Sequence, residues 1–190
     1  MEKYIITLFI VGCSLAGFAQ DKAALQAGLD RVYKNTTSGN YEALLSDTYP
    51  KIFEVIPKDQ MLKSLQGMLN GPGYILDVLD APANFELGEI KHIGKGYYCI
   101  IKHDLLMKMT FTQPVSEAES KTMIQNLKTS MKSDAVTFNP RSNSFTMKTR
   151  ADIIAISNGV TGGKWKFLNR TGEKIMEKVL DADVRKAMGL

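Results

Sequence analysis

Of the two histidines in this chain, His103 is the one whose neighbours invite chemistry. It lies in the stretch from Gly96 to Phe111, where alternate positions differ sharply in character. Tyr97, Cys99, Ile101, His103, Leu105, Met107 and Met109 share one parity, and Tyr98, Ile100, Lys102, Asp104, Leu106 and Lys108 share the other. Alternate side chains of a strand go to opposite faces, so the imidazole interrupts an otherwise apolar face. A polar ring placed there must find a hydrogen-bond partner or carry the cost of its burial. Imidazole also titrates near neutral pH, which suits a general base or acid. The residues that would complete such a catalytic site are Tyr97 on the same face and Glu86 or Glu89 on the segment before it. The structural alternative is a core histidine satisfied by a hydroxyl, a carboxylate or a backbone carbonyl.

A hairpin must position His103. Asn84 to Ile93 is the natural partner of the strand that starts at Gly96, joined to it through Gly94-Lys95-Gly96. With a three-residue loop, Leu87 faces His103. With a two-residue loop, Glu86 faces His103 and His92 faces Tyr97. The turn sequence accommodates both, and a one-residue slip reverses a strand's faces, so the sequence leaves open whether a carboxylate meets the ring. The parity pattern implies a sheet with one buried and one wet face, which is typical of antiparallel pairing.

The remaining elements read in order. Residues 23–36 form a first helix, with Leu25, Leu29, Val32 and Tyr33 on one stripe. Asn40 caps a second helix that carries Tyr41, Leu44 and Leu45 and ends before Pro50. Residues 52–57 read as a short apolar connector, and 57–70 as a third helix with Met61, Leu62, Leu65, Met68 and Leu69 inward. Asn70-Gly71-Pro72-Gly73 breaks that helix. Strands follow at 74–79, in the hairpin, at 135–138, at 144–157 and at 164–168. A helix opened by the capping-box pattern Ser116-Glu117-Ala118-Glu119 is inserted among them. Thr171 caps a closing helix that breaks near Asp181. The fold class is α+β: N-terminal helices on a curved antiparallel sheet of about six strands, with one inserted and one C-terminal helix.

Composition bounds the function. The 190 residues are 44% hydrophobic and 23% charged, enough for one domain with a proper core. Residues 1–19 have the layout of a secretory signal peptide: a short charged start, an apolar run from Tyr4 to Leu15, and small residues up to Ala19. That leaves 20–190 as a single exported domain, periplasmic or extracellular, with no membrane span. Ile10-Val11-Gly12-Cys13 resembles a lipobox, which would instead make Cys13 a lipid anchor. Cleavage leaves Cys99 as the sole thiol, so no internal disulfide forms and the core alone holds the fold. No Cys/His cluster has zinc spacing, and no nucleophile elbow, phosphate loop or His-Glu-x-x-His is present, so no metal or cofactor is expected.

Charge is uneven: residues 1–90 hold seven Lys and Arg against eleven Asp and Glu, and 91–190 hold seventeen against nine. Export argues against nucleic acid as the partner of this basic half. Lys102, Lys108, Lys148, Arg150, Lys164 and Lys166 form either a solvated outer stripe or a docking face for an acidic partner.

N-terminal helices followed by an antiparallel sheet whose last strand carries Trp165-Lys166-Phe167 resemble the nuclear transport factor 2-like superfamily, over roughly residues 21–169. The resemblance implies a cone-shaped α+β fold. It implies no single chemistry, since the superfamily includes isomerases, dehydratases and non-catalytic binding modules. Two features depart from its pattern: the helix inserted at 116–131, and the tail from Thr171 to Leu190, which could plug the mouth of a cone. The expected pocket is lined by Tyr33, Cys99, Ile101, Met107, Phe145 and Trp165. Three roles follow: an exported non-catalytic domain holding a small apolar ligand, a proton-transfer enzyme (isomerase or hydrolase) using His103, or an interaction module forming a homodimer through the sheet's open face.

Overall fold

A computed structural model describes residues 22–133, 135–170 and 172–190. The signal-peptide and lipobox readings, and the capping role of Thr171, fall on residues outside that set. The described chain is α+β, with seven helices and an open, antiparallel sheet of eight strands.

The sheet is built on two long strands, β5 (Gly96–Phe111) and β7 (Ser144–Ser157), which pair from Tyr97↔Ser157 to Thr110↔Ser144. Short strands flank them. On the outer side of β5 run β2 (Tyr74–Val78), β3 (Glu86–Leu87) and β4 (Lys91–Ile93), with β1 (Asn70–Gly71) beyond β2. On the outer side of β7 run β6 (Ala135–Asn139) and β8 (Lys166–Asn169).

Eight strands replace the expected six for two reasons. Asn70-Gly71 folds back on Tyr74-Ile75 as an extra two-residue strand, and the first arm of the hairpin is split. His92 pairs with Tyr97 across a two-residue turn, yet Glu86 pairs with Lys102, one residue out of step with that register. The extra residue lies between Gly88 and Lys91, so one strand becomes two. Gly88 permits the close approach there: a Cβ on it would sit 2.7 Å from the Ile100 carbonyl oxygen, and its N–H donates to that oxygen at 2.9 Å.

The helices are α1 (22–37), α2 (Tyr41–Ser46), α3 (Ile52–Val55), α4 (Lys58–Leu69), α5 (Glu117–Met131), α6 (Glu173–Val179) and α7 (Ala182–Met188). Asn40 caps α2 by accepting from the Ala43 N–H, and Ser116 and Glu119 close the capping box of α5. The apolar connector at 52–57 forms the single turn α3. Gly172 is the N-cap of α6, and the closing helix breaks at Asp181.

Three apolar clusters hold these layers. Leu25, Leu29 and Val32 of α1 pack with Cys99, Ile101, Ile153, Ala155, Trp165 and Phe167. Approach is closest at Gly28, where an added Cβ would lie 2.7 Å from the Phe167 ring. Further along the same parity, Met107, Phe145 and Met147 pack with α5 through Met123, Ile124 and Leu127. On the other parity Tyr98, Ile154, Ile156 and Leu168 are buried against Met176, Val179, Val184 and Met188. This corrects the expectation of one wet face: α6 and α7 cover one end of it, and the charges are confined to the stretch from Lys102 onward.

Candidate functional site

Between α1, α2, α4 and the sheet lies a cavity of about 520 Å³. Val32, Tyr33 and Thr36 come from α1, Tyr41 and Leu44 from α2, and Leu65, Met68 and Leu69 from α4. The sheet contributes Leu76 and Val78 of β2, His103, Leu105 and Met107 of β5, and Arg150, Ala151, Asp152 and Ile153 of β7. Phe85, Asn169 and Arg170 complete the wall. The volume falls within the range of about 300–1,000 Å³ usual for ligand sites, and most of the lining is apolar. None of the lining comes from α6 or α7.

His103 is buried, and its Nδ1 has no hydrogen-bond partner among the described residues. It pairs with Ala151 across the sheet, a residue too small to cover it. Burial pushes its pKa below the ordinary 6.5, because desolvation disfavours the charged ring. The main chain and carboxylate of Asp104 pull the other way and are outweighed, and no bond from that main chain closes on Nδ1. The ring is therefore held as neutral imidazole. Phe85 lies 5.8 Å from it, and Tyr33 meets Phe85 edge-on at 6.0 Å. The Tyr33 hydroxyl is already engaged, donating to the Ala81 carbonyl and accepting from the Ala81 N–H.

The polar groups near the ring form a self-satisfied lattice. Asp104 accepts from Asn84 at 2.8 Å, from Lys148 at 2.8 Å and from Arg150 at 3.2 Å. These donors hold its carboxyl below the usual carboxylate range, the Asn84 hydrogen bond most of all and the Lys148 bond next. Arg150 also holds Glu86, and Arg170 holds Asp152 at 3.1 Å.

The anticipated site residues are therefore dispersed. His103, Tyr33 and Met107 share the cavity wall. Glu86 pairs with Lys102 rather than His103 and is drawn to Arg150, while Glu89 is exposed. Tyr97 stands six positions from His103 on one strand, on the order of 20 Å away at about 3.3 Å per residue. It is 36% exposed and stacks on His92 at 4.8 Å. Cys99, Ile101 and Trp165 belong to the packed cluster under α1, and Phe145 to the one under α5. Burial pushes the Cys99 thiol up in pKa. Half of the basic stripe is not free charge: Lys148 and Arg150 are paired as above, and Lys166 bonds the Ser46 carbonyl at 2.6 Å and lies 3.6 Å from Asp47.

Phe85, Tyr41, Asp152 and Arg170 are wall residues that strand parity does not reveal. Phe85 comes from an irregular stretch, and Asp152, which pairs with Lys102 and so has the opposite strand parity to His103, holds Arg170 by an ion pair. Among the described residues, no group of three or more His, Cys, Asp and Glu could hold a metal ion. Nor is any helix among them long and apolar enough to cross a membrane.

Comparison with family models, with curated proteins and with solved structures returns no match to this chain.

Proposed function

We propose that this is an exported, non-catalytic domain that binds a small, mainly apolar ligand in the cavity between α1, α2, α4 and the sheet. One observation carries the reading: a cavity of about 520 Å³ is bounded by apolar side chains from three helices and three strands, with one neutral histidine in its wall. A core meant only for packing would fill such a space, since interiors pack to crystal-like density. The order of helices before sheet, with the cavity between them, supports a cone of the nuclear transport factor 2-like kind. The layout of residues 1–19 supports export, and mass spectrometry of the mature N-terminus distinguishes cleavage near Ala19 from lipidation of Cys13.

The test of binding is fluorescence titration with N-phenyl-1-naphthylamine, a neutral apolar dye. Ala151 pairs with His103 and lines the cavity, so Ala151→Trp should fill it. We expect saturable dye binding to the wild type and at least about tenfold weaker binding to Ala151→Trp, with the fold intact by circular dichroism. Equal binding by both proteins would refute the reading.

A proton-transfer role for His103 has one observation in its favour: burial keeps the ring neutral and ready to accept a proton. Neither Glu86, Glu89 nor Tyr97 stands against it to share the work. That role requires His103→Gln to abolish turnover without unfolding the protein.

A further inference from the structure

α4 roofs the cavity, yet little holds it there. Leu65, Met68 and Leu69 line the larger space, and Met61 and Leu65 line an adjoining one of about 200 Å³ beneath α3 and α4. Leu69, at the C-terminal end, is the one buried residue of α4. Met61, Leu62 and Leu65 are half-buried, and Met68 is 53% exposed although it lines the cavity, which places it at the mouth. Only Met61 joins one of the three apolar clusters. Among the described residues, no salt bridge or side-chain hydrogen bond joins α4 to another element; the bond from Asn70 to the Gln66 carbonyl stays within its own C-terminal turn. α1 is held differently. It buries Leu25, Leu29 and Val32, and its Arg31 pairs with Asp47 at 2.7 Å.

The sequence of α4 adds little support of its own. A helix of twelve residues is marginal without tertiary packing. Pro57 stands at its N-cap and supplies no side-chain acceptor. Gly67 lies exposed in the last turn, with nothing within 4 Å of where a Cβ would stand, so it weakens the helix without serving a contact. Segments with few buried apolar contacts are the first to open. Just beyond α4, β1 ties the chain to the sheet edge by pairing Asn70 with Ile75 and Gly71 with Tyr74.

We infer that α4 is the lid of this cavity. It opens by local unfolding, tethered at its C-terminal end by Leu69 and β1, and it consolidates when an occupant gives Leu65 and Met68 a surface to pack on. This rests on the reading of the cavity as a ligand site and adds how that site is entered and closed. A ligand that binds only the closed form draws population from the open one, so occupancy and the order of α4 rise together.

The experiment is hydrogen–deuterium exchange of the intact protein read by mass spectrometry, with and without N-phenyl-1-naphthylamine, in the wild type and in Gly67→Ala. Corrected for intrinsic rates, the amides of α4 should exchange at least about tenfold faster than those of α1. Gly67→Ala should slow α4 about fivefold through helix propensity alone and leave α1 unchanged. The dye, at about ten times its Kd, should slow α4 about tenfold in both proteins. Exchange of α4 no faster than that of α1 would mean that α4 opens only with the whole protein. A Gly67→Ala change that acts on both helices alike, or on neither, would mean that local unfolding of α4 is not the opening event. Either result overturns the lid. Dye that binds in the fluorescence titration without slowing α4 would overturn the lid and leave the ligand site standing. Absence of dye binding would remove the ligand reading, and the lid with it.

Discussion

Replacing His103 with leucine should make the protein more stable, and increasingly so as the medium turns acidic. His103 is 5% exposed, and its Nδ1 has no partner among the described residues. Burying an unpaired polar group costs about 1–3 kcal/mol, whereas leucine continues the apolar face of Ile101, Leu105 and Met107. Loss of the ring contact with Phe85 takes back about 0.5–1.5 kcal/mol, so the net gain near pH 7.5 should be about 1 kcal/mol. The pH dependence is the sharper signature. The folded-state pKa of His103 lies below the ordinary 6.5, chiefly from desolvation. Below pH 6.5 the unfolded chain takes up a proton that the folded chain does not. Stability therefore falls as pH drops from about 6.5 toward the folded value, by at most about 1.4 kcal/mol per pH unit for this one group. Above pH 6.5 the group contributes no slope. Urea denaturation followed by circular dichroism at pH 8, 7, 6 and 5.5 should show the two proteins diverging below pH 7, with the leucine variant ahead. A constant gap, or one that narrows with acid, would mean that folded His103 takes up its proton as readily as the unfolded chain does. The ring would then have a carboxylate partner, Asp104 or Asp152, and the picture of a neutral imidazole in an apolar wall would be wrong.

Asp104→Asn should lower stability at neutral pH by removing the charge that Lys148 and Arg150 share. Because the folded-state pKa of Asp104 is depressed, its contribution is present above the ordinary 3.8 and lost as pH falls through the lower folded value, so the deficit of the variant in urea melts should shrink as the pH is taken below 3.8. Gly28→Ala should destabilise by about 1–2 kcal/mol despite the better helix propensity of alanine, because its Cβ would meet the Phe167 ring at 2.7 Å. Phe167→Leu in the same chain should relieve part of that cost, and a double-mutant cycle by urea melts would show no coupling if the contact were unimportant.

Much of the frame is legible in residue patterns because the forces behind it are local. Helical stripes place Leu25, Leu29 and Val32 inward, alternation marks β5 and β7, and Ser116 with Glu119 announces α5. The split of β3 from β4 is not legible, since it depends on Gly88 approaching the Ile100 carbonyl, a contact between chains of atoms distant in sequence. Burial of Tyr98 and Ile100 eludes parity for a related reason: the helices that cover them lie some eighty residues further on, which strand alternation does not register.

The candidate site divides along the same line. Residue types alone single out His103 as a polar group on an apolar face, because a strand's period fixes which side chains share a side. Only the tertiary structure decides what meets it. A one-residue register shift sends Glu86 outward to Arg150, and the lattice around Asp104 absorbs the nearby charges. Three helices then roof the ring without filling the space above it. Whether side chains from separate elements close a gap or leave a cavity depends on their summed volumes in three dimensions, a quantity that no one-dimensional spacing encodes.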